Sequence, residues 1–183
     1  MGSCGLACTI DNQKNIFMKS KFVKAYLDVA ERFAQLSSAT RLKVGAIIVK
    51  DDRIVSIGYN GTPAGWDNNC EDRIYPDRSM GDYEQHTDEF DAMFPFRDEE
   101  DKLYRLKTKP EVIHAERNAI DKLARGTEAG LGSTMFVTHS PCLECSKSIY
   151  TSGIKKIYYR DAYRDNSGIE FLQKCGLEIE QVK

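Results

Sequence analysis

Residues 134–159, TMFVTHSPCLECSKSIYTSGIKKIYY, decide the fold. They open on Thr134-Met135-Phe136-Val137-Thr138, a β-branched and aromatic run with the composition of a strand. Residues 142–152 then read as a helix, with Gly153 as the residue that stops it. Residues 154–159 are a second strand, so the stretch is one strand-helix-strand repeat joined by short connections.

Working outward, residues 169–174 form a short predicted helix before Gly176, and residues 177–182 a last strand. Upstream, residues 112–125 read as a helix ended by Gly126. Residues 44–49 and 54–59 are two β-rich runs around the turn Asp51-Asp52-Arg53, which is a hairpin pattern. From Lys21 onward, Phe22, Ala25, Tyr26, Val29, Phe33 and Leu36 recur every three or four positions, which predicts a helix ending near Ser37. A hairpin followed by β-α repeats predicts an α/β domain with a mixed sheet and helices on both faces. The first 18 residues carry no period and are predicted to be a loose arm, leaving residues 19–183 as a single domain.

Composition narrows the partners. With 183 residues, 41% of them hydrophobic, the chain can bury a core unaided. A net charge of -2 speaks against a stable complex with long nucleic acid and favours a small substrate. Residues 66–110 hold 13 acidic against 7 basic side chains and read as an irregular acidic insertion, while the remainder holds 15 against 19. A mildly basic core suits an anionic ligand, although scattered solvated charge explains the counts equally well. No run has membrane-spanning length, and the N-terminus lacks the apolar segment of a leader. The six cysteines, at positions 4, 8, 70, 142, 145 and 175, are too scattered for a disulfide framework. A reducing, cytoplasmic location is the simpler expectation.

The chemistry lies in His114-Ala115-Glu116 and Pro141-Cys142-Leu143-Glu144-Cys145. A lone His beside a Glu is usually an ordinary satisfied residue, and a single C-x-x-C can be a redox pair. Their joint occurrence supplies three soft ligands and one spare carboxylate. Three protein ligands leave zinc an open position, as catalytic sites require and structural sites do not. Zinc brings bound water near neutrality, and Glu116, two residues from a ligand, is placed to move its proton. That combination suits hydrolytic removal of an amine from an amidine-like ring.

At this point the chain resembles a known family. Val44-Gly45-Ala46, Gly58-Tyr59-Asn60-Gly61 with Pro63 and Gly65, His114-Ala115-Glu116 with Asn118-Ala119-Ile120, residues 138–145, and Ser152-Gly153-Ile154-Lys155-Lys156 are similar to the deoxycytidylate (dCMP) deaminases, especially the bacteriophage type. The resemblance covers about residues 21–182 and implies the three-layer cytidine-deaminase-like fold with a mixed five-stranded sheet. It implies conversion of dCMP to dUMP and ammonia, with one catalytic zinc per chain on His114, Cys142 and Cys145 and Glu116 as proton shuttle. By the same resemblance Asn60 bonds the deoxyribose, the Ala115 N–H and Ser140 carbonyl read the cytosine edge, and Tyr163 stacks near the base. Arg41 and Arg164 stand where similar sequences place phosphate-binding groups, and each also reads as a solvated surface side chain.

The family resemblance further implies a homo-oligomer, often a hexamer, activated by dCTP and inhibited by dTTP, each bound with magnesium. The effector site would use the 60–65 loop, including Gly61, with Lys122 and Arg125 on the outer helix face. Arg125 in a last helical turn equally suits the helix dipole. Some phage relatives hold a second, structural zinc, but two of the corresponding positions here are Ala39 and Val112. Cys70 and His86 alone remain as partners, Cys4 and Cys8 read as free thiols of the arm, and His139 reads as a pocket-wall or core residue. Because editing deaminases share the metal motif, tRNA or single-stranded DNA remains an alternative substrate, as does dCTP. A zinc-stabilised binding module without catalysis is the alternative of another class.

Overall fold

The structure, a computed structural model, describes residues 18–76 and 88–183. The predicted arm, except Met18, lies outside the described residues, as do Cys4, Cys8 and His86. The first helix is α1, Ser20–Ala34, followed by strands β1, Gly45–Lys50, and β2, Arg53–Tyr59. Asp51 and Asp52 link them with φ values of 49° and 58°. Two central residues at positive φ match the twist of a two-residue hairpin, a conformation aspartate tolerates.

After β2 come β3, Glu71–Ile74; α2, Asp88–Met93; β4, Phe96–Arg97; and β5, Leu103–Thr108. The chain closes with α3, Ala115–Leu123; β6, Thr134–His139; α4, Leu143–Thr151; β7, Lys156–Asp161; α5, Ser167–Lys174; and β8, Glu178–Gln181. The main sheet has five strands in the order β2-β1-β6-β7-β8. It is mixed: β1 runs antiparallel to β2 and β6, while β6, β7 and β8 are parallel.

Strand alternation assigns the two faces. Ile47, Val49, Phe136 and Tyr158 pack against Val23, Leu27 and Ala30 of α1. Ala46, Ile48, Met135, Val137 and Ile157 pack on the other side against Ala115, Ala119 and Leu123 of α3, Ile149 of α4 and Leu172 of α5. Each fully buried Ile, Leu or Met contributes roughly 1.5–3 kcal/mol of transfer free energy. The expected helix–sheet–helix layering is therefore present, with helices on both faces.

Two details differ from the sequence reading. The buried stripe of α1 is Val23, Leu27, Ala30 and Ala34, whereas Phe22 and Leu36 are 48% and 60% exposed. The cause is a close approach: a Cβ on Gly45 would lie 2.0 Å from the Ala30 carbonyl oxygen. The helix therefore brings Ala30 and Ala34 against the Gly45 end of β1, with Val23 and Leu27 packed on the same sheet face, and Phe22 and Leu36 are left outside. The described part of the 66–110 segment is also not irregular, for β3, β5 and β4 form a three-stranded antiparallel sheet. Its strands lack a buried apolar face. Side-chain stitching is visible instead, with Phe96 stacked on Tyr104 at 5.5 Å and the Arg73 guanidinium 4.9 Å from the Tyr104 ring centre. Among the described residues no helix is long and apolar enough to cross a membrane.

Candidate active site

The N-termini of α3 and α4 converge at the sheet's β1–β6 region. Sequence reading put His114 and Cys142 inside first helical turns; both are in fact N-cap residues with extended backbone, at ψ 154° and 168°. The later start of α3 has a cause. Ile113 exchanges backbone hydrogen bonds with Gly61, at 2.9 and 3.1 Å, which holds it out of the helix.

His114 Nδ1 lies 3.5 Å from Cys142 Sγ and 3.4 Å from Cys145 Sγ. All three ligand atoms fall within 4.8 Å of one another. A tetrahedral zinc with bonds of about 2.0–2.3 Å separates neighbouring nitrogen and sulfur ligands by about 3.6 Å, so this donor set fits that ion. Cys142 is pushed down to about 4, first by a hydrogen bond from the Cys145 thiol and further by His114. Cys145 is raised correspondingly by that bond and by burial. The Cys142 bond likewise raises His114. The cluster thus already favours one thiolate, at the positive end of a helix.

Glu116 follows in the first turn of α3, 4% exposed, and burial raises its carboxyl above the ordinary range. It lines a cavity of about 260 Å³ together with Arg41, Asn60, His114, Ala115, His139, Ser140, Cys142 and Tyr163. Almost all the residues singled out in the sequence for zinc, catalysis and substrate therefore meet in one place. Arg164 is the exception. It is exposed, outside the cavity wall, with its guanidinium 5.7 Å from the Tyr163 ring centre. Tyr163 is itself anchored, since its backbone N–H donates to Ser140 Oγ at 2.7 Å.

Asn60 does more than face the cavity. Its Oδ1 accepts from the Val44 N–H at 2.8 Å and its Nδ2 donates to the Leu42 carbonyl at 2.8 Å. One N–H and one lone pair remain for a ligand. Among the polar wall residues, sequence reading missed Glu71 and Thr108, both supplied by the 66–110 sheet. No local pattern marks them; only strand pairing brings them here.

A second cavity, of about 590 Å³, runs along the 60–65 loop and the outer face of α3. Gly61, Lys122 and Arg125 all line it. Lys122 Nζ donates to the Ile57 carbonyl at 3.0 Å, and burial, then the nearby Arg125 charge, lowers its pKa. Cys70, considered above as a ligand, is buried with Ala39 and Val112, its sulfur 3.4 Å from Ser38 Oγ.

A three-layer α/β sheet holding a His-Cys-Cys triad at two helix N-termini beside a buried glutamate defines the zinc-binding deaminase class. Residues 19–161 match the cytidine and deoxycytidylate deaminase zinc-binding region, and the chain belongs to this family. It is similar to the deoxycytidylate deaminase of Enterobacteria phage T4, 35% identical over 170 residues that span 85% of this chain and 87% of that protein. The deoxycytidylate deaminase of Mycobacterium phage D29 is 35% identical over 134 residues, 73% of this chain and 90% of that one. Among solved structures, the dCMP deaminase of cyanophage S-TIM5 in complex with dCMP and dUMP superposes with a TM-score of 0.69 at 39% identity, covering 90% of this chain and 99% of that one.

Proposed function

We propose that this protein deaminates dCMP hydrolytically, giving dUMP and ammonia. The observation that carries the reading is a cluster of three metal-ligating side chains, two of which, His114 and Cys142, line one cavity with a buried glutamate and Arg41. The likeness to a phage enzyme crystallised with dCMP and dUMP supports the same substrate.

His114, Cys142 and Cys145 would hold zinc, which when bound supplies the Lewis acidity that makes water nucleophilic near neutral pH. Glu116 accepts the water proton and passes it to N3 of the cytosine, leaving C4 electrophilic. Oxygen adds at C4, the C4–N4 bond breaks, and Glu116 delivers the remaining proton to the departing amine. Burial, by raising the carboxyl's proton affinity, suits it to hold a proton between these transfers. The Ala115 N–H and Ser140 carbonyl orient the base, Tyr163 covers it, Asn60 contacts the sugar, and Arg41 meets the phosphate. Arg164, exposed and outside the wall, adds a positive charge beside Tyr163.

The second cavity is the proposed effector site. Gly61, Lys122 and Arg125 would bind dCTP or dTTP as the magnesium complex in a homohexamer, in the cytoplasm. Ammonia release measured across dCMP, deoxycytidine, dCTP and oligonucleotides tests the substrate; no turnover of any free nucleotide overturns it. Repeating the dCMP assay with dCTP and dTTP tests the regulation, and identical rates in all three conditions reject it.

A further inference from the structure

The loop that carries Arg41 is held along its length by two side chains. Asn60 holds its far end, through Leu42 and Val44. Glu71 holds its near end: its carboxylate accepts from the Thr40 N–H at 3.1 and 3.2 Å and from the Arg41 N–H at 3.2 Å. Glu71 is only 7% exposed. Thr108 is its direct partner across the β3–β5 ladder, so the two side chains share one face. Thr108 Oγ1 accepts from the Arg41 guanidinium at 3.2 Å. One cross-strand pair therefore grips Arg41 at both ends, backbone and guanidinium.

We infer that Glu71 and Thr108 are positioning residues for recognition of the nucleotide's monoester phosphate, acting through Arg41. This rests on the reading of Arg41 as the phosphate ligand. A carboxylate beside an anion site would ordinarily repel the anion. Here its two oxygens are turned onto backbone N–H groups, which draws its charge toward the loop. An arginine left free on a loop must also lose rotamer freedom on binding; one held in advance loses less. The specificity for a phosphorylated substrate is thus set by the 66–110 sheet, although the catalytic cluster lies on α3 and α4.

The test is calorimetric binding of dUMP and of deoxyuridine to the zinc-loaded protein. The readout is the ratio of their Kd values, which reports the phosphate contribution whether or not the protein turns substrate over. Arg41→Ala, Glu71→Ala and Thr108→Val should each reduce the preference for dUMP about tenfold, and Thr108→Ser, which keeps the hydroxyl, should restore it. If Arg41→Ala reduces the preference but Glu71→Ala and Thr108→Val leave it at the wild-type value, the positioning inference is wrong while the phosphate reading stands. A wild-type ratio in Arg41→Ala itself refutes the phosphate reading. Should Glu71→Ala fail to fold, Thr108→Val against Thr108→Ser decides the question alone.

Discussion

Replacing Gly58 with alanine should damage both stability and the metal cluster, because β2 and α3 touch backbone to backbone there. A Cβ at that position would sit 2.1 Å from the Ala115 carbonyl oxygen and 2.6 Å from the Ala119 nitrogen. Folded proteins keep such contacts above about 3 Å, so strand and helix must part by about 1 Å. Neither neighbour is a flexible side-chain tip. The strand is hydrogen-bonded to β1, and α3 is packed on the sheet through Ala115, Ala119 and Leu123. Overpacking of this kind costs about 1–3 kcal/mol, which lowers Tm by roughly 2–12 °C in a chain of this length. The displaced element also begins at His114, whereas its companion ligands stand at the start of α4. Zinc should therefore be lost to a competing chelator at lower chelator concentration than in wild type. Gly61→Ala is the control, since nothing lies within 4 Å of a Cβ there. Its stability should stay within about 0.5 kcal/mol of wild type. Thermal melts with chelator titrations decide the matter: wild-type Tm and metal retention in Gly58→Ala would refute the close-approach argument.

Three further outcomes are expected. Glu116→Gln should keep zinc, measured by metal analysis, yet lose about 10²–10⁴-fold in turnover measured by ammonia release, because the amide cannot shuttle a proton. Cys145→Ser should lower bound zinc well below one equivalent, since a hydroxyl replaces a thiolate in the three-ligand set; full zinc occupancy in this variant would count against the assigned ligands. Asn60→Ala strands the Val44 N–H and the Leu42 carbonyl, and at this partly open site should cost about 1–2 kcal/mol in urea unfolding.

The elements legible in the sequence are those whose cause is local. Asp51 and Asp52 tolerate the positive φ that their hairpin needs, and the 134–159 repeat has a buried strand on each side of a short helix. The metal cluster is likewise written in two short motifs that helix N-termini bring together. What escaped reading depends on distant partners. The α1 stripe is set by Gly45, which admits Ala30 and Ala34 to the sheet, and hydrophobic spacing alone cannot show that. The α3 start is set by Gly61, which pairs with Ile113 although 52 positions separate them in sequence. The 66–110 sheet is stabilised by ring and guanidinium contacts on solvated strands, so no apolar period announces it.

The same division runs through the site. Reactivity needs three ligands and a carboxylate in fixed relation, and helix geometry supplies this from neighbours in sequence. On the proposed reading, discrimination among cytosine derivatives needs Arg41 fixed relative to the three metal-ligating side chains, and that relation crosses from the 39–44 loop to Asn60, Glu71 and Thr108. A change in the β3–β5 register would move Glu71 and Thr108 relative to each other and leave His114, Cys142 and Cys145 where they are. If Arg41 binds the phosphate as proposed, changes in the insertion alter phosphate preference while the His114-Cys142-Cys145 cluster is kept by its own local geometry.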